Sequence, residues 1–189
     1  MIFPSKYRCL NQNEFSDGEY KIVPIRYQDR LEIMKWRNEQ LYHLRQLKPL
    51  TIEGQDSYFK TVVAGLFEYK KPKQLLFSFF KGEELIGYGG LVHINWIDRN
   101  AEISFIMDTS FEKNNFHTIW SVYLSLIEKV AFEELKFHKL FVYAFDLRPH
   151  LYEVLKDNLY FEDAVLKDHC FFEKKFIDVV IHSKINKYL

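Results

Sequence analysis

The apolar residues of this chain switch repeatedly between strand and helix spacing. Residues 20–26, Tyr-Lys-Ile-Val-Pro-Ile-Arg, read as a short strand whose Pro24 marks an edge position or a strand end. Asp29 is an N-cap residue type, and Leu31, Ile33, Met34 and Trp36 follow it at helical spacing. A second helix is expected after Thr51, through Tyr58, Phe59, Val62, Val63 and Leu66. Lys71-Pro72-Lys73 ends that pattern. Three strand-type segments follow at 74–81, 84–97 and 101–108, with turn chemistry at Gly82 and at Asp98-Arg99-Asn100, so they read as an antiparallel meander. A long helix is expected over 116–135, its stripe including Ile119, Val122, Tyr123, Leu126, Ile127 and Val130. After it come a strand at 139–145, a short helix over 149–156 opened by Pro149, and two closing strands. The order β-α-α-β-β-β-α-β-α-β-β is that of an α/β fold on a mixed sheet. Residues 1–19 carry the least pattern and are expected to form an arm or a short extra strand. Without a repeat, a low-complexity tract or a linker, residues 1–189 read as one domain.

Composition narrows the class. Aromatic residues make up 17% of the chain, with 18 Phe and 12 Tyr, too much apolar surface for a disordered chain. Its 26 basic and 26 acidic residues cancel, so no global field gathers nucleic acid or an anionic membrane. The first residues lack a signal-peptide pattern, and no stretch approaches the roughly 18 uncharged apolar residues of a membrane span. A cytoplasmic location is expected, with Cys9 and Cys170 as free thiols and no metal site, since neither cysteine has ligand spacing around it.

Three places carry candidate chemistry. The first is the hairpin 91–106. With Arg99-Asn100 as a two-residue loop, Glu102 lies opposite Ile97 and Ser104 opposite Asn95. His93, Asn95, Glu102 and Ser104 then share one face, with Val92, Ile94, Trp96, Ile103 and Phe105 on the other. A carboxylate, an imidazole and an amide together form a proton-handling cluster, or else a solvated polar stripe. The second is the strand-to-helix junction Asp108 to Thr118, where unpaired backbone N–H groups and the helix dipole favour a phosphate, with Lys113 as counter-charge. The third is Trp36-Arg37-Asn38-Glu39-Gln40 with Leu44-Arg45-Gln46, which are helix-end charges unless the fold sets them over a site.

Over residues 20–185 the chain resembles the GNAT superfamily of N-acetyltransferases. The resemblance is carried by Pro24-Ile25-Arg26, Asp29, Trp36-Arg37-Asn38, Leu85-Ile86-Gly87-Tyr88-Gly89-Gly90-Leu91, Ala101-Glu102-Ile103-Ser104-Phe105, the run 131–140 and Tyr160-Phe161. Arg37-Asn38-Glu39-Gln40, Leu44-Arg45-Gln46, Arg148-Pro149-His150-Leu151-Tyr152 and Asp178-Val179-Val180-Ile181-His182 look closer to the branch that acetylates nucleotide-linked amino-dideoxy sugars.

The resemblance implies a splayed, mostly antiparallel mixed sheet with helices on both faces and acetyl-coenzyme A in the splay. The pantetheine would pair with backbone near Phe105, Ile106 and Met107. The pyrophosphate would rest on Lys113, Asn114, Asn115, Phe116, His117 and Thr118. Arg37, Asn38, Arg45 and Gln46, with Asn95 and Trp96, would face the acceptor, and Glu102 or His93 would take the amine proton. Two departures stand out. The family's Gln/Arg-x-x-Gly-x-Gly/Ala loop is matched by Glu112-x-x-Asn115-x-His117, where Asn115 would have to take the left-handed backbone usually given to Gly. The tyrosine that protonates the thiolate in relatives is matched by Lys156, with Tyr152 one helical turn earlier as replacement. The expected partner is a small molecule, a nucleoside-diphosphate amino sugar, acting on a monomer or homodimer; the alternatives are an N-terminal acetyltransferase of peptides or a non-catalytic acyl-coenzyme A binding module.

Overall fold

A computed structural model describes residues 2–44 and 46–187. Eight strands form one sheet in the order β1-β2-β3-β4-β5-β6-β8-β7. They are β1 (Phe15–Asp17), β2 (Tyr20–Pro24), β3 (Leu75–Lys81), β4 (Glu84–Asn95), β5 (Asn100–Met107), β6 (Lys139–Phe145), β7 (Phe161–Phe172) and β8 (Lys175–Ile185). Every neighbouring pair is antiparallel except β5 and β6. The helices are α1 (Arg30–Glu39), α2 (Ile52–Tyr58), α3 (Ala64–Leu66), α4 (Glu112–Glu128) and α5 (Pro149–Asp157), with a π-turn joining α2 to α3 and another ending α4. The expected element order holds, and the weakly patterned start supplies the extra strand β1.

The middle strand β3 reads Leu-Leu-Phe-Ser-Phe-Phe before its closing Lys81, and those six residues are buried. Such a continuous run suits a strand covered on both faces. Successive residues point to opposite faces. On one, α4 sets Tyr123 against Phe79 (centroids 5.5 Å apart) and stacks it on Phe105 at 3.9 Å. On the other, Ser78 Oγ donates to Asp29 Oδ2 at 2.7 Å.

That bond corrects the expected role of Asp29. It lies in a 3₁₀ turn (Tyr27–Asp29) and makes no capping bond. Its carboxylate is instead buried, accepting from Arg26 Nε and Nη2 at 2.8 and 2.7 Å. A buried carboxylate needs its partners, and tertiary pairing outweighs local capping here. Thr51 does cap α2, accepting from Gly54 N at 3.1 Å. Helix α4 begins at Glu112, four residues before the expected start, after a 3₁₀ turn over Thr109–Phe111.

The β4–β5 register also differs from expectation. Asn95 pairs with Asn100 and Val92 with Glu102, leaving a four-residue turn (96–99) and a bulge of two β4 residues, His93 and Ile94, against Ala101. His93 takes φ +48 at the bulge. The turn is held by Asn95 Oδ1, which accepts from Ile97 N and Asp98 N, both at 3.0 Å, an Asx-type arrangement that pattern counting does not see.

Gly89 lets β4 lie close to its neighbours. A Cβ there would sit 2.1 Å from the Ser104 carbonyl oxygen and 2.5 Å from the Tyr123 hydroxyl. Because the first of these is backbone in the central sheet, Gly89→Ala should cost about 1–3 kcal/mol or more of overpacking. Denaturant unfolding should show a lower midpoint at unchanged slope; an unchanged midpoint would mean that the strands separate without cost.

Candidate active site

The parallel pairing of β5 with β6 covers only Asn100–Lys139, Ala101–Leu140 and Glu102–Phe141. Beyond it the strands part. Asp108 N donates to Ile86 O, which fixes the alternation along β5: Glu102, Ser104 and Ile106 bond to β4. Ile103, Phe105 and Met107 therefore turn their N–H and C=O toward β6; the Ile103 N–H is the last to be answered, by Phe141, and from the Ile103 carbonyl onward no strand answers. At its far end Gln40 Nε2 donates to the Met107 carbonyl at 2.8 Å, and Gln40 Oε1 contacts His43 Nε2 at 3.1 Å.

The opening is a cleft of about 400 Å³, walled by Glu102 to Phe105 on one side and Val142 to Phe145 on the other. Unpaired backbone amides along one wall of a slot this size suit an extended ligand that itself carries amides, such as a pantetheine arm. Of the three residues expected to pair with it, Ile106 is spent on β4 and the Met107 carbonyl on Gln40. Phe105 remains, joined by Ile103.

At the closed end His93 Nδ1 stands 2.7 Å from Glu102 Oε2. His93 and Glu102 thus meet as expected, though through a different register, whereas Val92, expected on the other face, pairs with Glu102 and lines the same cleft. Simple alternation from Val92 would turn His93 away from Glu102, and the bulge brings it back. The Glu102 side chain is 13% exposed and that of His93 64%, so the pair runs from the cleft wall to solvent.

A second cavity, of about 430 Å³, meets the cleft at Arg37, Gln74, Val92 and Ser104. Its other walls are largely apolar, with Ile25, Ile33, Leu50, Leu76, Tyr58, Phe59 and Tyr88, and none of the described residues lining it is a carboxylate. Arg37 Nη1 donates to Tyr88 Oη at 2.7 Å and Arg37 Nε to Gln46 Oε1 at 2.9 Å. Burial pushes the Tyr88 phenol up, with the Arg37 charge pulling the other way, so it stays a neutral acceptor. Arg37 Nη2 makes no hydrogen bond among the described residues.

The other residues expected at the acceptor are placed differently. Gln46 also donates to Asn38 Oδ1 and the Lys48 carbonyl. Asn38 pins Leu50 through both N–H and C=O. These two residues hold Arg37 and the following loop. Asn95 serves the hairpin turn, and Trp96 Nε1 donates to the Pro72 carbonyl while its ring packs on Phe137. Neither lines the cavities, because the actual register carries them past the site. Arg45 lies outside the described residues. Tyr152 does not line the cleft; its hydroxyl donates to Asp146 Oδ1 at 3.0 Å and its ring stacks on His182. Burial, then that carboxylate, raises the phenol.

Lys113, Asn114, Phe116 and His117 line a groove of about 700 Å³ at the start of α4, together with Tyr42, Glu112, His150 and Glu153. Asn115 and Thr118 are exposed on the helix outside it, and Asn115 has ordinary helical backbone rather than the left-handed conformation expected. His117 Nε2 contacts Asp157 Oδ2 at 2.9 Å, tying α4 to α5.

Sequence reading missed Arg148 and His43, which both line the cleft. Burial, then the neighbouring Arg148, pushes His43 down to about 3, so its ring is neutral at pH 7. Among the described residues no three His, Cys, Asp or Glu side chains are grouped to hold a metal, and no helix is long and apolar enough to cross a membrane.

A family profile described as an acetyltransferase (GNAT) domain matches residues 22–162. No curated protein matches the sequence. A solved spermidine N-acetyltransferase from Vibrio cholerae in complex with CoA and spermine superposes with a TM-score of 0.75 at 16% identity, over 90% of this chain and 97% of that one. A dodecameric spermidine N-acetyltransferase from the same organism gives 0.72 at 19% identity over 92% and 98%. A structure described as a probable acetyltransferase gives 0.74 at 16% identity over 93% and 98%. Identities this low speak for the fold alone. The profile covers β2 through the first residues of β7, including the splayed strands and the helix between them, and the chain therefore belongs to the GNAT family as an acetyl-coenzyme A-dependent N-acetyltransferase.

Proposed function

We propose that this enzyme acetylates the amino group of a nucleoside-diphosphate-linked amino sugar, with Arg37 holding an anionic part of the acceptor. The observation that carries the reading is the second cavity, which presents an oriented guanidinium and no carboxylate. A polyamine carries several ammonium groups and would meet Arg37 as a like charge. The single carboxylate in either lining, Glu102, is already engaged by His93. An acceptor with one amine and a diphosphate suits these walls: the guanidinium fork matches phosphate oxygens, and the apolar walls accept a deoxygenated sugar.

Bound acetyl-coenzyme A supplies an acetyl thioester in the splay. The chain's own work is to place the amine where the cavities meet and to remove its proton. Glu102 lies on that wall and His93 leads outward, so a proton taken at Glu102 Oε reaches solvent through the imidazole. The N–H group of Phe105 is the β5 donor available to a carbonyl oxygen in the cleft. With Tyr152 committed to Asp146, it would not be the donor to a departing thiolate.

If this pair handles the proton, Glu102→Gln should lower kcat by about 10²–10⁴-fold and flatten the acidic limb of the rate profile, with His93→Asn changing the same limb less. Both variants keeping the wild-type profile would show that positioning alone drives transfer.

Free-thiol release with nucleotide amino sugars, spermidine and peptides tests the acceptor. The sugar nucleotides should be the better substrates, and Arg37→Ala should raise their KM by an amount worth about 2–5 kcal/mol with little change in kcat. Faster turnover of spermidine would favour the polyamine reading. Preference for peptides would point to N-terminal acetylation, and silence with every acceptor to a binding module.

A further inference from the structure

The turn that leads into α4 uses up its own backbone donors. Asp108 Oδ1 accepts from Ser110 N at 2.8 Å, Asp108 O from Phe111 N, and Thr109 O from Glu112 N. The groove they border also holds the carboxylates of Glu112 and Glu153, against the single lysine Lys113. A helix start so arranged is a poor cradle for a diphosphate, and no glycine relieves it.

Arg148 stands where the splay cleft meets this groove. It lines the cleft, and its guanidinium lies 5.9 Å from the centroid of Phe116, a groove residue. Its place is costly in three ways. It precedes Pro149 at the positive end of α5, where a cation is disfavoured. The side chain is half-buried yet makes no hydrogen bond or ion pair with a described residue. The nearby Glu112 is instead engaged by the Tyr42 hydroxyl at 3.0 Å. Burial accordingly lowers the guanidinium, with Tyr42, Glu112 and Tyr152 acting in the opposite sense. A polar group left in this condition calls for an explanation, and a bound anion supplies one.

We propose that Arg148 is the anchor for the diphosphate of coenzyme A, doing from the start of α5 what a glycine-rich loop before α4 does elsewhere. The fork reaches phosphate oxygens from the opposite wall, so the acidic, glycine-free α4 start need not approach them closely. This assignment rests on the cofactor and is independent of the acceptor.

Calorimetric titration of wild type, Arg148→Met and Arg148→Lys with coenzyme A, 3′-dephospho-coenzyme A and pantetheine tests it. Arg148→Met should weaken both nucleotides by about tenfold to a hundredfold and leave pantetheine, which has no diphosphate, unchanged. Arg148→Lys should recover part of the loss, as a point charge without the fork. Without ligand, Arg148→Met should unfold at the same temperature as wild type or higher, because a lone half-buried cation has been removed. Unchanged coenzyme A affinity would overturn the proposal. So would equal loss of pantetheine, a loss confined to coenzyme A with its 3′-phosphate, or a lower unfolding temperature of the free variant.

Discussion

The pairing between β5 and β6 stops after Glu102 and Phe141, and the rest of the site follows from that. A buried backbone N–H or C=O without a partner costs about 1–3 kcal/mol, so a sheet does not open in its middle without cost. The opening persists because the two strands are held from outside it. β5 is bonded to β4 from Glu102 to Met107 and stacked through Phe105 on Tyr123, while β6 is paired along its length with β8. Each half of the sheet is complete on its own. The Ile103 carbonyl and the N–H and C=O of Phe105 are then left as an edge suited to a ligand that carries amides. Binding there restores the hydrogen bonds that the fold gives up.

The layout of elements was legible because local pattern and tertiary burial agree. The six-residue apolar run of β3 and the stripe of α4 can be buried in few ways. What escaped was fixed by contacts distant in sequence or by single residues that change register. Asp29 has the chemistry of a cap, yet Ser78, 49 residues away, and Arg26 claim its carboxylate. Asn95 looked like part of a polar face, and its side chain is what closes the turn. Nothing in the local sequence announces a bulge at His93, so the dyad with Glu102 was reached from a register that the protein does not use. Arg148 did leave one trace, a cation placed directly before a helix-opening proline; His43 left none.

Charge divides the site into regions with different tasks. Near the closed end, Glu102 and His93 form a hydrogen-bonded pair that runs from the wall to solvent. The second cavity keeps a guanidinium fixed by Tyr88 and Gln46, while Asn38 fixes Gln46 and the loop beyond. At the open end Arg148 faces a neutral His43, and the nearby acid is diverted to Tyr42. Two arginines thus line the cleft together with one carboxylate, and that carboxylate is paired with an imidazole.

This order bears on how an amine is chosen. Lining residues common to both cavities, Arg37, Gln74, Val92 and Ser104, mark where an acceptor amine meets the acyl-carrying cleft. An ammonium arriving there gains from Glu102 and loses to Arg37. A molecule with nothing but ammonium groups has no compensation for the second contact. One that carries an anion at the right distance from its amine satisfies both, and in doing so aligns the amine with the base. On the proposed reading Arg37 would discriminate by repulsion as well as by attraction, which is how a largely apolar pocket becomes selective without many specific contacts.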